Sequence, residues 1–168
     1  ASVAVVKNGE IIYENYFGKA NLEYNIPIDS SSVFNIASVS KQFTIFAVLL
    51  LEKRGKLSLE DDIRKYIPAM PNFGQKITLK HLASHTSGLR DDRGLMPITG
   101  WLAGGDIGTL DDFLKLISSQ KELNFKPGEQ YSYCNTGYSL LAEVVARVSN
   151  KSFVDFTNEN IFIPLQML

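Results

Sequence analysis

The 168-residue chain is long enough for one ordinary domain, and at this size folding buries about 68–70% of the unfolded surface, so a real core is available. With 17 basic against 18 acidic residues the formal charge is −1, and no long basic run offers nucleic acid a phosphate-tracking patch. The longest apolar run, residues 43–51, is about half of the ~18 residues that a membrane span needs, so it reads as a buried helix. No signal peptide is legible, and a first residue of Ala1 rather than Met reads as a processed or cut chain. Cys134 is the single cysteine, which excludes an internal disulfide and a cysteine metal cluster. His81 and His85, four apart, could share a helix face, but two ligands without a third make a poor zinc site.

In chain order, residues 2–20 read as a hairpin: two β-branched runs flank Asn8-Gly9, the pair best suited to a type I′ turn, and Gly18 closes the second strand. Residues 21–35, with Pro, Asp and serines, read as a loop. A helix is expected from near Ser38 to about Arg54, stopped by Gly55, and apolar around almost its whole circumference, as a central helix would be. Residues 57–74 suggest a short helix broken at Pro68 and Pro71. Residues 77–89 suggest another, capped by Thr78 and stopped at Gly88. Residues 89–108 look like a long surface excursion. Thr109 with Asp112 three later marks the start of the next helix. Pro127-Gly128 marks a turn, and residues 136–150 form an amphipathic helix with Leu140, Leu141, Val144, Val145 and Val148 on one side. A last helix is expected over 151–162, ended by Pro164. Two strands followed by helices leave a sheet that is started and not finished, because a lone hairpin is barely stable.

Two local patterns carry chemistry. Ser38 and Lys41 lie three apart at the mouth of the apolar helix, where i and i+3 share a face with Cβ atoms about 5–6 Å apart. A serine hydroxyl is a poor nucleophile until a base takes its proton. Burial disfavours an ammonium, so a lysine there can act as that base, and the positive helix N-terminus favours charge on the serine oxygen. The plain alternative is a helix start with a surface lysine. The spacing recurs by chance at Ser118 and Lys121, at a polar helix end where the lysine stays solvated. The second pattern is Tyr133-x-Asn135 on a loop before a helix. A phenol relays protons, and an amide offers one donor and one acceptor. The plain alternative is a packed loop tyrosine and a capping Asn. Tyr13 and Asn15 repeat this spacing inside a predicted strand.

Taken together, "VAVVKNGEIIYENYFGKAN", "FNIASVSKQFT", "LEKRGKLSLEDDIRKYIP", "ITLKHLASHTSGL", "PGEQYSYCNTGYSLLAEVV" and "IFIPLQML" resemble the serine β-lactamase and penicillin-binding-protein superfamily. The likeness is to its class C β-lactamase, D-alanyl-D-alanine carboxypeptidase and esterase branch. The resemblance implies an α+β fold: a helical region plus an antiparallel sheet of which the first two strands are present. It implies Ser38 as the acylated nucleophile, Lys41 as its partner and candidate base, Tyr133 as the proton relay and Asn135 as the holder of the substrate's acyl amide. His85, Thr86, Ser87 and Gly88 match a marker of structural character. The family's third box, Lys-Thr-Gly or His-x-Gly on a late strand, is not found, and Lys7-Asn8-Gly9 is a hairpin turn. That strand normally gives one of two oxyanion donors, worth roughly 10²–10³ in rate. Ala83 and Gln166 also depart from the usual Leu and Gly, and a leading helix ahead of residue 1 is not found.

The expectation is therefore the N-terminal portion, residues 1–168, of a single longer domain. Its function would be acyl transfer to Ser38 and hydrolysis by water, on β-lactams, D-alanyl peptides or small esters. No metal or organic cofactor is implied. The partners would be a small-molecule or peptide substrate and the missing C-terminal half. The competing expectation is a non-catalytic fragment or pseudoenzyme that binds a peptide-like ligand or a complementing chain. Location is expected to be extracytoplasmic, through the resemblance alone.

Overall fold

A type I′ turn needs positive φ at both central residues, which Asn and Gly tolerate best. Asn8 and Gly9 sit at φ 53° and 83°, and the turn joins β1 (Ser2–Lys7) to β2 (Glu10–Tyr16) antiparallel. The register runs from Ser2 opposite Tyr16 to Lys7 opposite Glu10, with an irregularity between Val5 and Val6. The structure, a computed structural model, describes residues 1–100 and 109–167. Residues 19–27, expected to be loop, hold a second small ladder, β3 (Lys19–Asn21) with β4 (Ile26–Pro27). Local side-chain bonding makes it possible: Asn21 Oδ1 accepts from the Tyr24 N–H at 2.8 Å, and Asn25 takes φ 55° to reverse the chain.

The chain falls into two units, residues 1–38 and residues 39–168. The first holds both ladders, and the boundary falls within a 3₁₀ turn, Ala37–Ser40, that is followed in the chain by α1 (Lys41–Lys53). The α-helix thus starts three residues later than the spacing suggests, while Gly55, at φ 67°, follows its end as expected.

The second unit is helical and carries the core. Leu140, Leu141, Val144 and Val145 of α5 (Asn135–Ser149) are fully buried beside Ala47, Val48 and Leu51 of α1. This is the predicted apolar face of α5. The expectation that α1 is buried all round does not hold, since Phe46 and Leu49 are each 42% exposed. Residues 57–74 form no α-helix, only a 3₁₀ turn, Ile63–Lys65. Backbone groups that a helix would use go elsewhere: Ile63 N–H donates to Ile77 O at 2.9 Å, and Asp61 O accepts the Leu79 N–H at 3.1 Å.

α2 (Leu79–Ala83) is capped by Thr78 as predicted, but it ends five residues before Gly88, because His85 takes φ 58°. His81 and His85 consequently do not share a helix face. The region 89–108 is not wholly a surface excursion: Leu89 and Asp92 are buried, and α3 (Asp92–Leu95) and a 3₁₀ turn Met96–Thr99 follow. Residues 101–108 lie outside the described residues. α4 (Leu110–Ser118) has the predicted Thr109–Asp112 capping box. α6 (Phe153–Thr157), capped by Ser152, runs on as a π turn, Asn158–Phe162. Among the described residues, no helix is long and apolar enough to cross a membrane.

Candidate active site

Residues 85–88 act as a docking strip for the loop that carries Tyr133. Asn124 N–H donates to Gly88 O at 2.8 Å, Gly128 N–H to Thr86 O at 2.8 Å and Ser132 N–H to His85 O at 2.9 Å. Cys134 N–H adds a fourth bond, to His85 Nδ1 at 3.1 Å. Gly88 is required here: it has φ 73°, and a Cβ would lie 2.0 Å from Phe125 O. The marker His85-Thr86-Ser87-Gly88 is thus structural in a specific sense, because it sets the path of residues 124–134.

The His85 ring stacks against the Tyr133 ring (centroids 4.4 Å apart) and the Tyr138 ring (5.2 Å). Burial holds the imidazole below its ordinary pKa, and the Lys41 charge acts in the same direction. With Nδ1 accepting from Cys134, the neutral ring carries its proton on Nε2. Burial raises the pKa of the Tyr138 phenol, whose hydroxyl donates to Ala83 O at 2.9 Å.

Lys41, the first residue of α1, is half-buried and points into this aromatic group. Its Nζ stands 5.0 Å from the Tyr133 ring centroid and 5.4 Å from that of Tyr138, and it donates to Asn135 Oδ1 at 2.9 Å. Asn135 is the first residue of α5 rather than its cap. The N-cap residue, Cys134, makes no capping bond with its side chain, whose thiol donates to Leu89 O at 3.4 Å instead, and the cap comes from across the fold: Asp91 Oδ1 accepts the Asn135 N–H at 2.7 Å. A carboxylate at a helix N-terminus is favourable for both the free N–H groups and the dipole. Burial, the hydrogen bond to Asp91 and the Asp91 charge push the neighbouring Asp92 carboxyl above its usual range.

The structure therefore brings Lys41, Tyr133 and Asn135 together. Ser38, exposed, is the last residue of the first unit, on the turn before Lys41. Ala37 immediately ahead of it sits at φ 45°, a left-handed conformation that costs an L-residue roughly 1–2 kcal/mol. The look-alike patterns do other things. Ser118 ends α4 and donates to Lys115 O, with Lys121 beyond the helix. Tyr13 and Asn15 bond each other along β2. Sequence reasoning missed Asp91. Its one local signal is the pair of acids, Asp91-Asp92, just after the Gly88 stop. Among the described residues, no three His, Cys, Asp or Glu side chains cluster so as to hold a metal ion.

A family model described as Beta-lactamase matches residues 1–168. The chain belongs to the beta-lactamase family. A penicillin-binding protein of Bacillus subtilis (strain 168) is 35% identical over 167 residues, covering 99% of this chain and 36% of that relative. The octameric penicillin-binding protein homologue from Pyrococcus abyssi superposes with a TM-score of 0.87 at 29% identity, covering 99% of this chain and 39% of the other. EstCE1, a hydrolase with promiscuous acyltransferase activity, superposes with 0.83 at 26% identity, over 98% and 46%. The chain thus spans less than half the length of these proteins. Its helices and small antiparallel sheet match the family's α+β fold over that part of the relatives.

Proposed function

We propose that this chain carries the nucleophile half of a serine acyl-transfer hydrolase. The observation that supports this most is the hydrogen bond of Lys41 Nζ to Asn135 Oδ1, 94 residues apart in sequence, with the Tyr133 ring beside the ammonium. Ser38 Oγ attacks the substrate carbonyl, and its proton passes to the Lys41–Tyr133 pair. The tetrahedral intermediate collapses to acyl-Ser38, and Tyr133 delivers the proton to the leaving nitrogen or oxygen. Water then attacks the ester, gives a proton back through the same pair, and Ser38 leaves with it. Asn135 keeps one N–H and one Oδ1 position beyond its bonds to Asp91 and Lys41, which suits it to a substrate amide. The substrates of this reading are β-lactams, D-alanyl peptides or small esters, and its location is extracytoplasmic, as the family resemblance implies.

In the same reading, residues 1–168 are the N-terminal portion of one domain whose third box and remaining strands lie in the unmatched part of the relatives. Coverage of 36–39% of those chains supports this. It also favours a second reading for these 168 residues by themselves, a non-catalytic module that binds a peptide-like ligand or a complementing chain. A fluorescent penicillin or a fluorophosphonate probe decides between them. Covalent labelling that disappears in Ser38→Ala and persists in Ser118→Ala is expected, and labelling retained in Ser38→Ala rejects the assignment.

A further inference from the structure

A carboxamide can be placed two ways round, and only one of them offers oxygen to an ammonium. Asn135 has that orientation, with Oδ1 accepting from Lys41 Nζ at 2.9 Å. The group on its other side is a carboxylate. Asp91 Oδ1 accepts the Asn135 backbone N–H at 2.7 Å, and Asp91 Oδ2 accepts from Asn135 Nδ2 at 3.2 Å. An ionised carboxylate can only accept, so it holds the NH₂ end of the amide and rejects the oxygen end. Building on the serine-hydrolase reading of this site, we propose that Asp91 is a positioning residue: it fixes the Asn135 carboxamide with its oxygen toward Lys41, and so sets where the ammonium stands.

The geometry is pre-set on both sides of Asp91. Thr136, fully buried and next to Asn135, donates its hydroxyl to Arg90 O at 2.8 Å and accepts the Asp92 N–H at 2.8 Å. One side chain thus ties the backbone before and after Asp91 to the first turn of α5. Behind Asp91, the Gly94 and Leu95 N–H groups both donate to its carbonyl at 3.1 Å. Asp91 cannot drift without breaking contacts that involve buried groups, and the bond it makes to Nδ2 is charge-assisted.

Asp91→Asn separates orientation from capping. Asn caps a helix about as well as Asp, so a residue that only capped α5 would tolerate the change. If Asp91 orients Asn135, the new NH₂ group opposes the Asn135 NH₂, and relief by turning Asn135 over points a donor at Lys41. In the full-length protein, Asp91→Asn is expected to slow covalent labelling by a fluorescent penicillin about 10–100-fold, the scale of one charge-assisted hydrogen bond. The loss is expected in the acylation step rather than in initial binding, with Tm within a few degrees of wild type. Labelling within threefold of wild type overturns the proposal, as does a loss that merely tracks Tm. A second readout needs no turnover: the Asn135 Nδ2 hydrogens, assigned by NMR through Asn135→Ala, exchange with solvent at least tenfold faster in Asp91→Asn. Equal exchange overturns the proposal. Absence of wild-type labelling rejects the serine-hydrolase reading alone, and the exchange measurement then decides the role of Asp91.

Discussion

Gly88→Ala tests the docking strip directly. An added Cβ would stand 2.0 Å from Phe125 O and 3.1 Å from Phe125 C, both backbone atoms that no rotamer change can move. The 124–126 segment must retreat, and the 2.8 Å bond from Asn124 N–H to Gly88 O goes with it. An L-residue at φ 73° costs roughly 1–2 kcal/mol, and an unmade bond at a buried carbonyl costs about 1–3 kcal/mol. Together these give about 2–5 kcal/mol, or roughly 5–20 °C in Tm for a chain of this size. Gly74→Ala is the control in the same unit: it has φ 72° but nothing within 4 Å of the new Cβ, so it carries only the conformational part. Thermal melts of the two variants beside wild type are sufficient. If Gly88→Ala melts within 2 °C of Gly74→Ala, the strip does not hold the loop in the way described.

The His85 imidazole, held below its usual value of 6.5 by burial, makes stability fall on acidification. The unfolded ring takes its proton as pH drops below about 6.5 while the folded ring resists, so stability is lost from there downward until the lower folded value is passed. His81, also depressed by burial, acts in the same sense. Replacement by His85→Gln is expected to flatten part of the Tm decline between pH 7.5 and 5, and an unchanged slope would assign the effect elsewhere. Tyr133→Phe keeps the ring against His85 and Lys41 and removes only the hydroxyl. Under the proposed mechanism, acylation by a penicillin probe slows by about 10²-fold or more, and wild-type labelling rates in the variant would remove Tyr133 from the proton path.

What the sequence made legible is what short-range rules govern. Asn8-Gly9 specifies its own turn, Thr78 and Thr109 specify helix starts, and the spacing of Leu140, Leu141, Val144 and Val145 specifies a buried face. Each signal involves residues within about two helical turns. The ladder in residues 19–27 escaped because two- and three-residue strands have no period to read. The 57–74 segment was misread because its donors are taken by Ile77 O and its acceptors by Leu79 and Lys80, a long-range competition that local propensity does not report. Phe46 and Leu49 show the same limit from the other side: an apolar pattern says that a face wants cover, not what supplies it.

The candidate site repeats this division. Ser38 and Lys41 are visible as a pair because they are three residues apart. That Tyr133 and Asn135 join Lys41 came only through the family resemblance, since no local rule links residues 94 positions apart. The resemblance marks His85 as structural, but the bonds by which it and Asp91 hold those three in place were invisible for a stronger reason. His85 acts across 49 residues and Asp91 across 44, each bonding to backbone N–H groups that every sequence offers. A backbone donor has no letter in the sequence, so its partner leaves no matching pattern there. The supports of such a site therefore have to be found by asking which helix start lacks a local cap. Here that question leads from Cys134, which caps nothing, to Asp91, and from Asp91 to the orientation of the amide that accepts from Lys41.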